Sequence, residues 1–355
     1  MRILYGVQGT GQGHISRARA MAKAFEDMPV EITWLFSGRA KDHFYDMEPF
    51  GDCLYYRGLS FSSHGGKVSY LDTARQLNIP YLLMEAFSIN LTNYDLVISD
   101  FEPVSAWAAR LNRVKSLGIG HQYAFGPNTP MTGATNLTRF IMKNFAPVDF
   151  GIGLHWHPYN ETILPPILDL PSFNESIGDH YLVYLPFEDQ CEVTGWLQQM
   201  PDYRFIQYSP DLADHVAGNV SLRKSSVVEF KRQLWRSKGV ICNSGFELIS
   251  ECIKLGKPVL TKPLLNQFEQ LSNALALEQL GYASVMHCLD VIQAEYWLAT
   301  SFESQGVNYP DVAQALATWI SSGMQEDITN IAAALWMPSK RELTELNTLD
   351  WGKVA

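Results

Sequence analysis

The sequence predicts an α/β protein of two successive Rossmann-like, doubly wound units facing a common cleft. Three observations carry this. The chain has 355 residues, more than the ~250–300 at which a single hydrophobic core stops growing. In both halves, short apolar runs alternate with stretches of helical period, the pattern of parallel sheets with crossover helices. Between the halves lies a connection rich in proline, with Pro158, Pro165, Pro166 and Pro171, the composition of a domain boundary. The expected division is 1–157 for an N-terminal unit, 158–325 for a C-terminal unit, and 326–355 for a C-terminal helix and tail packing back on the first unit.

The elements follow in order. Residues 2–7 form a buried first strand, and 15–26 an amphipathic helix. Residues 31–36, 54–57 and 95–99 are strand-like, the last with Asp100 at its exit. A helix over 103–111, a strand over 114–117, a helix over 135–145 and a strand over 148–152 complete the first series. The second series has strands at 181–185, 203–207, 239–242 and 258–261, with helices at 227–236, 246–255 and 268–280. Helical periodicity runs on from 291 to 319 and again over 328–336, and the polar tail after Pro338 reads as loosely ordered.

Hydrophobic residues are 46% and charged residues 18% of the chain, a globular composition. The net charge of −10 argues against nucleic-acid binding, which needs clustered cations. Charge is uneven: 14 basic and 13 acidic residues up to His155, then 13 basic and 24 acidic. The first unit is therefore the better suited to an anionic surface. Cys53, Cys191, Cys242, Cys252 and Cys288 are scattered, odd in number and without a paired spacing, as expected of reduced thiols in a cytoplasmic protein. The apolar start over residues 3–7 is shorter than a signal-peptide core, and no run reaches the ~18 apolar residues of a membrane span. Membrane contact is expected to be peripheral at most, at the inner face.

The segment Gly6-Val7-Gln8-Gly9-Thr10-Gly11-Gln12-Gly13-His14 links the first strand to the first helix. Its glycines permit close approach of a ligand to backbone. Their G-x-G-x-G order differs from the dinucleotide fingerprint, and Leu35-Phe36-Ser37-Gly38 brings no ribose-binding acid at the end of the second strand. No Gly-Lys-Ser/Thr follows, which excludes a P-loop. His14 stands at the loop-to-helix junction, where an imidazole can take a proton from a hydroxyl. A carboxylate on its other nitrogen would orient it. Asp100 and Glu102 both leave a buried strand at the same sheet edge, and either can instead cap the helix that begins at Pro103.

The stretch Val240-Ile241-Cys242-Asn243-Ser244-Gly245-Phe246-Glu247-Leu248-Ile249-Ser250-Glu251 runs strand, tight turn, helix. Asn243, Ser244, Gly245 and Phe246 place free backbone N–H groups at a helix start, a site for a diphosphate. Glu251 lies two turns further in, and Glu269-Gln270 open a later helix after Pro263. Singly, each has a plain structural explanation: Ser244 as a cap, Glu251 as a surface acid, Glu269 as a first-turn acid.

Together, this spacing resembles the donor site of GT-B glycosyltransferases. That group includes the plant small-molecule UDP-glycosyltransferases and the bacterial enzyme that adds N-acetylglucosamine to the peptidoglycan lipid intermediate. Gly245 and Glu251 keep the family's glycine-to-ribose-acid spacing, Pro263 its proline, and Glu269-Gln270 with Asn273 its acid/Gln-Gln and Asn pattern. Gly11, Gly13 and His14 match its first loop, and Asp100 its orienting acid. The chain looks closest to a bacterial and archaeal glycosyltransferase-like group opening with Gly-Gln-Gly-His-x-x-Arg, here Gly11-Gln12-Gly13-His14-Ile15-Ser16-Arg17. The phosphate-facing His and Asn of the plant signature are replaced by Asn243 and Glu247. A glutamate beside a diphosphate repels it unless it turns outward.

The resemblance implies a metal-independent, inverting glycosyltransferase with no cofactor. Its N-terminal unit would bind an acceptor hydroxyl, a lipid-linked or cell-envelope glycan among the candidates, and its C-terminal unit a nucleotide-sugar, a UDP-sugar first. His14 would be the base and Asp100 its orienter. Gly11, Gly13, Asn243, Ser244, Gly245, Phe246, Glu251, Glu269 and Gln270 would hold the donor. A nucleotide-sugar 2-epimerase and a non-catalytic nucleotide-sugar-binding protein are the rivals. His155-Trp156-His157 reads as linker rather than metal pair, Arg139 and Lys143 as charges on an ordinary surface helix, and His64-Gly65-Gly66-Lys67 as an acceptor-side loop.

Overall fold

A computed structural model describes residues 1–59, 63–64, 67–68, 78–159, 161–301 and 306–347. Residues 65–66 of the glycine-rich loop after His64 lie outside them. The first sheet contains β1 (Arg2–Gln8), β2 (Glu31–Ser37), β3 (Leu54–Tyr55), β6 (Leu96–Asp100), β7 (Ser116–Gly120), β8 (Phe150–Leu154) and β9 (Ile163–Leu164), in the order β3-β2-β1-β6-β7-β8-β9. All its pairings are parallel. A short ribbon, β4 (Ser63–His64) with β5 (Lys67–Val68), stands apart. Since β9 pairs with β8, the first sheet continues past the expected boundary at 157. The Pro-rich stretch therefore begins by completing an edge strand before it crosses to the second unit.

The second sheet holds β10 (His180–Tyr184), β11 (Arg204–Ser209), β12 (His215–Ala217), β13 (Val220–Lys224), β14 (Val240–Asn243), β15 (Val259–Lys262) and β16 (Ser284–Val285), ordered β12-β13-β11-β10-β14-β15-β16. It is parallel apart from the edge hairpin β12–β13. Strand order reverses beside β1 in the first sheet and between β10 and β14 in the second. Those switch points open crevices at the carboxyl ends of the strands, where ligands bind in such folds.

The helices are α1 (Gln12–Phe25), α2 (Ile79–Ser88), α3 (Pro103–Asn112), α4 (Asn136–Phe145), α5 (Gln190–Gln198), α6 (Val227–Arg236), α7 (Phe246–Leu255), α8 (Phe268–Leu280), α9 (Val291–Thr300), α10 (Val312–Ser321) and α11 (Ile328–Asn347). The continuous pattern expected over 291–319 is two helices. Pro310 follows the break, and Asp311 caps α10 by accepting from the Gln314 amide. The tail expected to be loose is instead helical through Pro338 to Asn347.

One apolar core runs from the first sheet across α1, α7, α10 and α11, while separate clusters fill the space under α2–α4 and the far face of the second sheet. α1 packs against both α7 and α10, and α11 against β9. Trp336 Nε1 donates to the Ile163 carbonyl at 2.7 Å. The last described helix thus packs on the edge strand of the first sheet.

Candidate active site

β1 ends at Gln8, and the backbone turns through Gly9 and Gly11 into α1. A Cβ on Gly9 would lie 2.7 Å from the Ser37 carbonyl and against the Phe44 ring, so only glycine lets this loop pass. Gly11 takes the N-cap position of α1 in an extended conformation, with no side chain capping the helix. His14 therefore sits in the first helical turn at the sheet's carboxyl edge.

Asp100 is the last residue of β6 and is fully buried. Phe101, at φ 49°, then turns the chain away. The Asp100 carboxylate meets His14 Nδ1 at 2.7 Å and accepts from Arg17 Nε at 2.8 Å and Nη2 at 2.6 Å. An ionised carboxylate can only accept, so Nδ1 of His14 is the donor toward Asp100, with Arg17 Nη2 3.0 Å from the same nitrogen. In that tautomer an uncharged ring has its lone pair on Nε2, which has no hydrogen-bond partner among the described residues. Burial pushes the Asp100 carboxyl up, but Arg17 and His14 outweigh it and hold the group below the usual carboxylate range.

The two acids that the sequence left as alternatives have separate jobs. Glu102 is the N-cap of α3, accepting from the Val104 amide at 2.7 Å and the Ser105 amide at 2.6 Å, and from Ser37 Oγ. Its burial raises its pKa, against those bonds.

On the opposite side, β14 ends at Asn243 and α7 begins at Phe246. Gly245 is an extended N-cap, and again no side chain caps the helix. The first-turn amides of α7 have no partner within their own helix. Ser244 Oγ pairs with Thr261 Oγ1 at 2.9 Å, and the Ser244 carbonyl accepts from Asn273 Nδ2 at 2.9 Å. Asn243 Nδ2 donates to the Lys262 carbonyl at 2.9 Å, leaving Asn243 Oδ1 buried without a partner. Lys262 Nζ in turn donates to Glu188 Oε1 at 2.7 Å.

The two edges meet. His121 stacks on Phe246 at 4.1 Å with an interplanar angle of 4°. Its Nδ1 faces the Leu154 carbonyl at 2.8 Å and its Nε2 faces Asn273 Oδ1 at 2.6 Å. Burial holds its pKa down, although both acceptors oppose this. Trp156 Nε1 donates to Ser250 Oγ at 2.8 Å, which makes the stretch around His155 a buried seam between the units. Among the described residues no group of three His, Cys, Asp or Glu could hold a metal ion.

The expected donor ligands are brought to this seam, several with partners already. Glu247 does not turn outward: its carboxylate pairs with Arg17 Nη1 across the cleft. Its Cγ would lie 2.8 Å from a Cβ on Gly13, so Gly13 makes room for it. Glu251 is buried and ion-paired with Lys231, with Ser16 Oγ at 3.5 Å. Burial raises its pKa, and Lys231 opposes this. Glu269 accepts from Gln122 Nε2 at 3.0 Å. Gln270 Oε1 accepts from the Leu264 amide at 3.0 Å, inside its own loop.

The family model described as glycosyl transferase family 1 matches residues 1–299. The chain belongs to glycosyl transferase family 1. Solved structures support the same fold. The glycotransferase of kitacinnamycin superposes with a TM-score of 0.60 at 12% identity, covering 95% of this chain and 99% of that one. SsfS6, a glycosyltransferase of Streptomyces sp. SF2575, gives 0.56 at 12% identity over 97% and 99%. MurG of Acinetobacter baumannii gives 0.55 at 12% identity over 90% and 99%. No curated protein sequence matches the chain.

The protein is thus a GT-B glycosyltransferase. No helix among its described residues is long and apolar enough to cross a membrane. Four residues of this glycosyltransferase's seam had no role in the sequence reading: Arg17, His121, Gln122 and Lys231. For Arg17 a signal was present, since it stands three residues after His14 in a helix and so shares its face. The other three are joined to the site only through contacts distant in sequence.

Proposed function

We propose that this glycosyltransferase moves a sugar from a nucleoside diphosphate donor to an acceptor hydroxyl by one displacement, with inversion and without a metal in the chemical step. The carrying observation is the His14–Asp100 contact of 2.7 Å with His14 Nε2 unengaged. Nε2 takes the proton of the acceptor hydroxyl, Asp100 fixes the tautomer, and that oxygen attacks the anomeric carbon. The leaving diphosphate gathers charge, which the uncapped N-terminus of α7 stabilises. Glu269 serves the donor sugar. Glu251 holds the donor's ribose and Gln270 its sugar once their present bonds to Lys231 and Leu264 exchange.

SsfS6 and the glycosyltransferase VinC are each known in complex with thymidine diphosphate. A pyrimidine nucleoside diphosphate is accordingly the donor class we infer, with a UDP-sugar tested first and no further cofactor. The acceptor enters from the first unit, and a lipid-linked or cell-envelope glycan is the first class to try. The five free thiols fit a cytoplasmic setting.

A non-catalytic nucleotide-sugar-binding protein is the second reading, favoured by the Glu247 carboxylate at the donor turn. His14→Ala separates the two. With UDP-sugars and a panel of acceptor alcohols, the variant should lose transfer by about 10²–10⁴-fold while its affinity for UDP stays within twofold of wild type. A wild type that binds UDP-sugar and transfers nothing supports the second reading.

A further inference from the structure

We propose that Arg17 is a ligand for the donor diphosphate, and that Glu247 is an internal anion holding the diphosphate's place until the donor arrives. This rests on the donor reading above and names a contact for it.

Glu247 is the second residue of α7, whose first turn is uncapped. Anions are favoured there because free amides and the positive end of the helix dipole face them. The Glu247 carboxylate lies on the Arg17 guanidinium, and its stem lies against Gly13. A helix start, a guanidinium and a glycine-lined wall are what a phosphate oxygen needs, and a carboxylate of the chain itself takes up the guanidinium and the wall. Neither group is on the surface: side-chain exposure is 2% for Arg17 and 10% for Glu247.

The geometry of Arg17 makes an exchange feasible. Its Nε and Nη2 are committed to Asp100, and Nη1 alone reaches Glu247. A phosphate oxygen can take over Nη1 while both bonds to Asp100, and with them the orientation of His14, persist. A buried guanidinium stripped of one anion would be costly, but replacing carboxylate by phosphate keeps it neutralised. Two anions cannot share Nη1 without repulsion, so Glu247 must swing away as the diphosphate enters. Arg17 belongs to the first unit and Glu247 to the second, so the exchange removes one tie between units and lets the ligand bridge them instead.

The test is calorimetric titration of UDP, dTDP and GDP into wild type and Glu247→Gln, which keeps shape and removes the charge. The variant should bind its preferred diphosphate about tenfold or more tightly, because a like charge at the site is gone. Adding Arg17→Met to Glu247→Gln should abolish that gain. Should the amide variant not fold, Glu247→Ala makes the same comparison. If wild type binds and Glu247→Gln binds no better, the inference is overturned and the donor reading stands. If the gain survives Arg17→Met, Arg17 is not the ligand. If neither wild type nor variant binds any of the three diphosphates, the donor reading itself fails, and this inference with it.

Discussion

Replacing Asp100 by Asn tests the base dyad most directly. In the native site one buried carboxylate serves three donors: His14 Nδ1 at 2.7 Å, Arg17 Nε at 2.8 Å and Arg17 Nη2 at 2.6 Å. An amide offers one accepting oxygen and one donating nitrogen. If the amide oxygen stays on Arg17 Nε, at the Oδ2 position, the NH₂ takes the Oδ1 position and faces His14 Nδ1, which must then accept. The ring proton moves to Nε2, and the acceptor hydroxyl meets a donor instead of a base. That loss of tautomer should lower kcat by about 10³–10⁴-fold. Stability should fall as well, by about 3–5 kcal/mol, because Arg17 loses a fully buried counter-charge. The assay is the initial rate of diphosphate release with donor and acceptor, alongside denaturant unfolding and UDP affinity. UDP affinity should change little. A folded Asp100→Asn variant with less than a tenfold loss in kcat would refute the assignment of His14 as an Asp100-oriented base.

Three further outcomes follow from the same geometry. Glu102→Gln should cost about 1–2 kcal/mol by weakening the cap of α3, with transfer rate and its pH profile unchanged. A loss of rate like that of Asp100→Asn would reverse the division of labour between the two acids. Trp156→Ala should destabilise by about 3–5 kcal/mol, measured by urea unfolding, since Trp156 is fully buried and bonded to Ser250. The seam is also pH-sensitive. Burial holds His121 and His155 below the ordinary imidazole pKa of about 6.5. Between that value and their folded pKa the unfolded chain binds more protons, so their contribution is full above about pH 6.5 and falls as pH drops, by up to about 1.4 kcal/mol per unit per group. The stability gap between wild type and His121→Asn should therefore change between pH 7 and pH 5.5, and a constant gap would contradict this.

Legibility of the fold followed local pattern. α6, α7 and α8 begin and end at the residues the sequence indicates, because each has a polar turn before it, α6 and α7 carry an apolar stripe, and Gly281 closes α8. α5 escaped notice: Thr194 and Gly195 lie within its nine residues and blur a stripe made only of Val193, Trp196 and Leu197. β13 escaped because Ser221, Arg223 and Lys224 dilute a short strand of a partly exposed hairpin. For the site, residue types at a sheet edge were readable, since a strand, a glycine turn and a helix place their junction whatever the tertiary contacts. Partner choice was not. Glu247 lies 230 positions after Arg17, and nothing in either segment records that the two units bring them together. The same holds for His121, whose two hydrogen-bond partners lie 33 and 152 positions away.

The distribution of these residues between the two sheets has a mechanistic consequence. His14, Arg17 and Asp100 all belong to the first unit, on α1 and β6, and hold one another through hydrogen bonds within it. The amide turn and Glu247 belong to the second. Relative movement of the units therefore leaves the base oriented and changes only how far its Nε2 stands from the α7 N-terminus. α1 is the element that senses the movement, because its N-terminal residues carry His14 toward Asp100 and, two positions on and on another face, Ser16 toward Lys231 and Glu251. On the proposed mechanism the base is in this sense built before any substrate binds, and what the donor would assemble is the distance across the seam. Varying the ties across that seam, Arg17–Glu247 and Ser16–Glu251, should thus act first on donor KM, whereas Asp100 should act first on kcat. Ser16→Ala lowering kcat without raising donor KM would show that the base is not independent of closure.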